Sequence, residues 1–325
     1  MPRSTSGKAR GIRVGSITTV AKPKGSVSDM KINAAETIAM LGWLKPMSPD
    51  LICLPEGFLY EGMHFTRAEE VALERNAPII RRYAELAATC RSYLAVPFLE
   101  RANDGQVHNA VILYGRDGAV AGTYHKRMLW PSNRNLSEFE KGVIPGHGGG
   151  PFRTEFGPIG IQTCLEMHWP RLWTQLGEQG VKIVAFPSQQ SGGLILGHRA
   201  WDARCFVVSA VSKGGPSHVV GPLGNVLSCW RPDSPSPVID IPFDFELVHL
   251  DYSEDKLGKI ASLVSEGLRV SYHYPERIGL VWSENENIKV KSILVENGIL
   301  TLDQYLEAID KTHQEQLPAR HNLVN

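Results

Sequence analysis

A layered α/β fold is predicted by the way hydrophobic periodicity changes along this 325-residue chain, from the alternation of strands to the spacing of helices and back. Ile12 to Thr19 alternates as a strand does, Lys31 to Trp43 sets its apolar residues at helical intervals, and Leu51 to Leu54 is a short buried run. These three segments make a β-α-β opening. A second unit follows, in which Asn76 to Tyr93 reads as a helix with Ile79, Ile80, Tyr83, Leu86 and Ala87 along one side. Leu94 to Leu99 and Val107 to Tyr114 are strands around the turn Asn103-Asp104-Gly105, and Arg116-Asp117-Gly118 turns the chain again into a third strand. Between Arg127 and Gly150 the periodicity lapses and Pro, Asn and Gly accumulate, which predicts a long loop of the kind that often carries function. Near the end, Leu300 to Thr312 has the pattern of an amphipathic helix.

Composition narrows the class. At 42% hydrophobic residues the chain can bury a large core, and a single domain is the simplest reading: 11–285, with 286–325 as a C-terminal extension expected to pack in an oligomer. Its 34 basic and 34 acidic residues cancel, so no general attraction to nucleic acid or an anionic membrane is implied. No apolar run approaches the roughly 20 residues needed to cross a bilayer, and Met1 to Lys8 lacks the apolar centre of a signal peptide. A soluble, cytoplasmic protein with reduced thiols is expected. Five cysteines without a C-x-x-C pair argue against a disulfide framework and a structural zinc site.

The chemistry lies at three strand ends. Leu51-Ile52-Cys53-Leu54-Pro55-Glu56 ends in a carboxylate, Val120-Ala121-Gly122-Thr123-Tyr124-His125-Lys126 in an amine, and Ile159-Gly160-Ile161-Gln162-Thr163-Cys164 in a thiol. Base, electrostatic stabiliser and nucleophile are therefore all available. Two other features point elsewhere. His147-Gly148-Gly149-Gly150 has the look of an esterase oxyanion loop, but the chain has no G-x-S-x-G elbow to go with it, so it reads as a flexible turn. Cys164 and His168 stand four apart, yet no further ligand cluster accompanies them, and no metal or other cofactor is expected.

In that order, a strand followed by Glu, one followed by Lys and one followed by Cys, the chain resembles the nitrilase (carbon–nitrogen hydrolase) superfamily. The resemblance extends to Pro55-Glu56, to Tyr124-His125-Lys126, and to the tract after the cysteine, where Pro170, a helix over Arg171 to Gln179, Gly180, a strand over Lys182 to Phe186 and Pro187-Ser188 follow in the family's sequence. Trp201 to Ala210 looks like the family's helix with an Arg before an apolar strand, and Gly221 to Leu227 like its next turn, so the likeness runs from about residue 11 to 250. It implies a four-layer α-β-β-α sandwich of two mixed β-sheets. It also implies Glu56, Lys126 and Cys164 as catalytic residues, with a second acidic residue in the loop after the lysine that orients it. Glu138 and Glu140 compete for that place, and Glu138 is favoured.

The implied reaction is hydrolysis of a small amide through a Cys164 acyl-enzyme, with ammonia or an amine released. N-carbamoyl hydrolases share Trp169-Pro170 but carry a pair of arginines where this chain has Met167 and His168, and nitrilases share Glu166 but have Trp where Leu165 stands. Leu165, Glu166, His168, Trp169, Gln189, Gln190 and Ser191 would surround the substrate by family position. An acyltransferase and a noncatalytic binding member of the fold are the readings from other classes. Members usually associate through the helix after the cysteine and through C-terminal segments; Trp173 looks exposed here, and with the terminal helix it suits a homo-oligomer.

Overall fold

The computed structural model describes residues 11–23, 29–231, 238–263, 267–285 and 287–317; the N-terminal stretch weighed above as a targeting segment lies outside them. The chain falls into two compact units, one of Ile12–Ile241 and one formed mainly by Pro242–Asn325.

The first unit begins with β1 (Ile12–Ser16), α1 (Met30–Leu44), β2 (Leu51–Cys53), α2 (Pro78–Cys90), β3 (Tyr93–Arg101), β4 (Val107–Tyr114) and β5 (Val120–His125). Asp29 caps α1 by accepting from the Ile32 amide at 2.8 Å, and Pro78 opens α2, where its missing N–H is not needed. After the predicted loop come β6 (Phe152–Thr154), β7 (Gly157–Ile161), α3 (Pro170–Glu178), β8 (Ile183–Ser188), α4 (Gly193–Ala203), β9 (Phe206–Val211), β10 (Ser217–Val220), β11 (Val226–Trp230) and β12 (Ile239–Ile241).

These strands form two six-stranded sheets, in the orders β12-β1-β2-β3-β4-β5 and β11-β10-β9-β8-β7-β6. Each is mixed. β1, β2 and β3 run parallel in the first, as do β7, β8 and β9 in the second, with antiparallel strands outside them. The parallel centres are hydrophobic on both faces because one face meets helices and the other meets the opposite sheet. In the first sheet Ile52, Leu94 and Val96 turn outward to Leu41 and Leu44 of α1 and Ile80 and Tyr83 of α2. In the second, Val184, Phe186 and Val207 turn outward to Leu172, Trp173 and Leu176 of α3 and Leu196 and Ala200 of α4. The inner faces meet where β1, β2 and β3 lie against β8 and β9. The result is the four-layer α-β-β-α sandwich.

One expectation fails here. Trp173 is fully buried, with its indole Nε1 donating to the Glu166 carbonyl at 3.1 Å and its ring beside Phe186, so it is core and offers nothing to an oligomer interface. A tryptophan at the third position after Pro170 faces whichever side the helix turns inward, and hydrophobicity alone does not tell a core face from an interface face.

The second unit carries β13 (Phe245–His249), α5 (Glu254–Leu263), β14 (Leu268–His273), β15 (Ile278–Ser283), α6 (Val290–Glu296) and α7 (Leu302–Gln316). Its antiparallel sheet, ordered β13-β15-β14, and its helices share a core of Val248, Leu250, Leu257, Val281, Val290 and Leu294. The division expected after residue 285 falls inside this unit. Among the described residues no helix is long and apolar enough to cross a membrane.

Helix α4 approaches the turn between β10 and β11 so closely that only glycine fits. A Cβ on Gly197 would lie 2.7 Å from the Gly224 carbonyl oxygen, and Gly224 itself has a φ of 80°. Gly197→Ala is expected to cost about 1–3 kcal/mol through overpacking against backbone, read as a lower midpoint in denaturant; an unchanged midpoint would show that the turn yields freely.

Candidate active site

Strand ends from both sheets bring the predicted chemistry to one place. Glu56 follows β2 and is 2% exposed; Lys126 follows β5 and is 1% exposed. The ammonium donates to Glu56 Oε1 at 2.8 Å and to Glu140 Oε1 at 2.6 Å. Asn109, buried in β4, ties the two carboxylates together, its Nδ2 donating to Glu56 Oε1 at 2.9 Å and to Glu140 Oε2 at 2.8 Å. Burial would by itself favour a neutral lysine, but the adjacent carboxylates outweigh it and hold Lys126 well above its ordinary range. The cluster is therefore a fixed cation between two anions. One oxygen is left over. Glu56 Oε2 is buried without a hydrogen bond among the described residues.

The second carboxylate is that of Glu140, which corrects the preference for Glu138. Glu138 reaches outward and accepts from Arg67 Nη1 at 2.8 Å, with 37% of its side chain exposed. Two residues apart on an extended strand, the two would share a face. The backbone leaves that pattern at Glu140 and Lys141, with φ of 42° and 62°, and turns Glu140 inward while its amide donates to the Trp130 carbonyl at 2.8 Å. A second hydrogen bond, from the Trp130 amide to Glu140 Oε1 at 3.1 Å, fixes the carboxylate. Such backbone is costly for a residue with a Cβ and persists only where surroundings enforce it.

Cys164 begins a short 3-10 turn, Cys164–His168, with Gln162 and Thr163 between it and the end of β7, and its φ is 48°. That left-handed step lifts the thiol out of the strand direction. Burial and then the Glu56 charge push its pKa up to about 12, opposed by Lys126, by the Gln189 backbone N–H and by the Ser188 hydroxyl at the end of β8. The thiol thus lies in the fields of Glu56 and Lys126 but is protonated at rest.

Glu166 is not a substrate residue. It is fully buried and accepts from Tyr124 Oη at 2.6 Å, the Arg127 amide at 2.8 Å and the Thr163 amide at 2.7 Å, so it braces the exit of β5 against the turn that carries Cys164. A charge this deep needs every donor it can find, and burial still pushes its carboxyl up. Of the other expected contacts, Trp169 packs on the α3–α4 core and His168 and Gln190 are exposed. Leu165 is half-buried beside Cys164, and Ser191 is half-buried at the head of α4. The side chain of Gln189 approaches Gly57, next to Glu56.

Two features escaped sequence reading. Asn109 was visible as an amide inside the apolar run Val107 to Tyr114, where an unpaired polar group would be expensive. The glycines after His147 are the other. His125 and Gly148 exchange backbone hydrogen bonds of 3.0 and 2.9 Å, and a Cβ on Gly149 would lie 2.5 Å from the Thr123 carbonyl oxygen. The run is a close-packed rail beside the lysine strand rather than a free turn.

Because Glu140 neutralises a buried ammonium while Glu138 makes an exposed pair, their neutral variants separate. Glu140→Gln is expected to destabilise the fold by about 2–3 kcal/mol, and Glu138→Gln by less than about 1 kcal/mol. Equal losses in chemical denaturation would return Glu138 to the site.

The sequence pattern of the carbon–nitrogen hydrolases matches residues 30–247. The chain is 28% identical over 204 residues to the deaminated glutathione amidase of Homo sapiens, covering 55% of this chain and 62% of that protein. It is 25% identical over 222 residues to the nitrilase and fragile histidine triad fusion protein NitFhit of Drosophila melanogaster, covering 62% of this chain and 48% of that one. It thus spans about half to three fifths of these relatives' length. The crystal structure of an amidase from Nesterenkonia sp. superposes with a TM-score of 0.59 at 19% identity, covering 80% of this chain and 99% of that one, a likeness of fold. With the family pattern taking in every strand of the two six-stranded sheets except β1, the chain belongs to the carbon–nitrogen hydrolase family, within the nitrilase superfamily.

Proposed function

We propose that the protein hydrolyses a non-peptide carbon–nitrogen bond of a small amide through a thioester on Cys164. The observation that carries this is Lys126 held between Glu56 and Glu140 with a protonated thiol in its field and Glu56 Oε2 uncommitted. The amidase names of related proteins agree with it.

The chemistry follows from the resting protonation states. Ionising a thiol of pKa about 12 at pH 7 costs about 7 kcal/mol if nothing receives the proton. Attack is therefore coupled to proton transfer from Sγ to Glu56 Oε2 as the S–C bond forms. The carbonyl becomes an oxyanion held by the Lys126 ammonium and the Leu165 backbone N–H. Its collapse breaks the C–N bond, and Glu56 returns the proton to the leaving nitrogen. Glu56 then takes a proton from water as the hydroxide adds to the thioester; collapse breaks the C–S bond, and Glu56 returns that proton to Sγ, freeing the acid and the thiol. Glu140 keeps Lys126 charged and aimed throughout.

Amide is favoured over N-carbamoyl amino acid because the first of the two positions that carry arginines in N-carbamoyl hydrolases is here Met167, buried in the core of α3 and α4, where it cannot receive a substrate carboxylate. Turnover of a panel of amides, N-carbamoyl compounds and nitriles, followed by ammonia and product acid, tests the class. Hydroxamate formed with added hydroxylamine would reveal transfer of the acyl group.

Cys164→Ala is expected to abolish turnover and leave folding intact, and Lys126→Met to lower kcat by at least about a hundredfold, with no rescue by Lys126→Arg. Near-normal turnover in Cys164→Ala would overturn the mechanism. Glu56→Gln separates acidity from catalysis. The negative charge of Glu56 raises the thiol pKa, so removing it should shift the pH dependence of Cys164 alkylation to lower pH even as turnover falls. A shift to higher pH would mean that Glu56 is not beside the thiol. Any residual acylation in this variant should leave a thioester visible in intact mass.

A further inference from the structure

Tyr60 makes none of the hydrogen bonds described above, yet it stands among the groups that do. It ends the short turn Phe58–Tyr60 that follows Glu56 and Gly57. One side of its ring is held: it meets Phe65 edge to face at 5.4 Å and packs on the small core of Ala68, Val71, Leu99 and Leu129. Another part closes over Gly57, where a Cβ would lie 3.2 Å from Tyr60 Cε2 and 3.2 Å from Gln189 Nε2. The phenol and the carboxamide thus flank the backbone next to Glu56. Gly57, at a φ of 78°, leaves room for both.

Burial first, then the charges of Glu56 and Glu140, hold the Tyr60 phenol well above its ordinary range, and Lys126 and Cys164 also act on it. The placement itself comes from the backbone: Tyr60 ends the turn that directly follows Glu56 and Gly57, and its ring closes over Gly57. The phenol stays neutral. Its hydroxyl makes no hydrogen bond to the described residues, and the side chain as a whole is half-buried. A ring with one free hydroxyl and few rotatable bonds loses little entropy in holding a ligand.

We propose that the Tyr60 hydroxyl contacts the substrate, hydrogen-bonding the amide group whose carbon Cys164 attacks, with the Gln189 carboxamide as its neighbour across Gly57. This deepens the amide-hydrolase reading and rests on it. A site built to hydrogen-bond a polar group loses rate when that bond is removed, while the ring's packing is untouched.

The test compares the wild-type protein with Tyr60→Phe on primary amides that the wild type hydrolyses, with thermal unfolding and a pH–rate profile for each. Tyr60→Phe should keep the wild-type unfolding midpoint and lose about tenfold in kcat/KM, with the profile's shape unchanged. Unchanged kcat/KM would overturn the contact. So would a displaced pH profile, because the phenol would then act on the ionisation of its neighbours rather than on substrate. Failure of the wild type on every amide would instead bring down the amide-hydrolase reading, and the contact with it, so the two failures are told apart by which protein is inactive.

Discussion

An ammonium buried to 1% exposure must find its counter-charges within the protein, and the requirement set by Lys126 organises everything around it. Two carboxylates satisfy it and one amide holds them in place, and each of the three comes from a different stretch of chain: Glu56 from the exit of β2, Glu140 from the long loop, and Asn109, donating to both carboxylates, from β4. None is near another in sequence. The first sheet therefore has to be in register before the cation is neutralised, and the loop has to take up two left-handed residues to bring Glu140 in.

The thiol belongs to the other sheet, so charge and nucleophile meet only if the two sheets keep their relation. Glu166 provides that link. By accepting from Tyr124 and Arg127 on one side and Thr163 on the other, it ties the lysine strand to the cysteine turn. The left-handed backbone at Cys164 then sets the thiol's direction. A carboxylate that would be read as a substrate contact from its place two residues after the cysteine is instead what holds the two halves of the site in line.

The sequence told most where short-range pattern and burial agree. The runs Leu51–Leu54 and Ile159–Ile161 that lead to Glu56 and Cys164 are apolar and buried, and such runs are readable without their partners; β5, with Val120 exposed, was placed by the turn before it. Reading was weaker where direction mattered. Glu138 and Glu140 are alike in type and spacing, and only the backbone turn at Glu140 separates them. Trp173 and Glu166 were misjudged for the same reason: which way a side chain faces depends on the layer it meets, and that layer is built by distant chain. Asn109 was legible in principle as a polar residue in a buried strand, but its two acceptors are 53 and 31 residues away. The three-stranded sheet after Ile241 gave weaker cues, its half-exposed β14 lacking a continuous apolar run.

The arrangement divides labour between two kinds of neighbour. Glu56, Lys126, Glu140 and Asn109 are bound to one another, whereas Tyr60, Gln189 and Leu165 surround them on separate turns. Changes in the second group need not disturb the first. A descendant of this chain could therefore acquire a new preference by altering a turn after Glu56 or after β8 while inheriting its charge system intact. Drift of that kind is cheap, because the costly step of bringing like charges around a dry cation has been completed by folding alone.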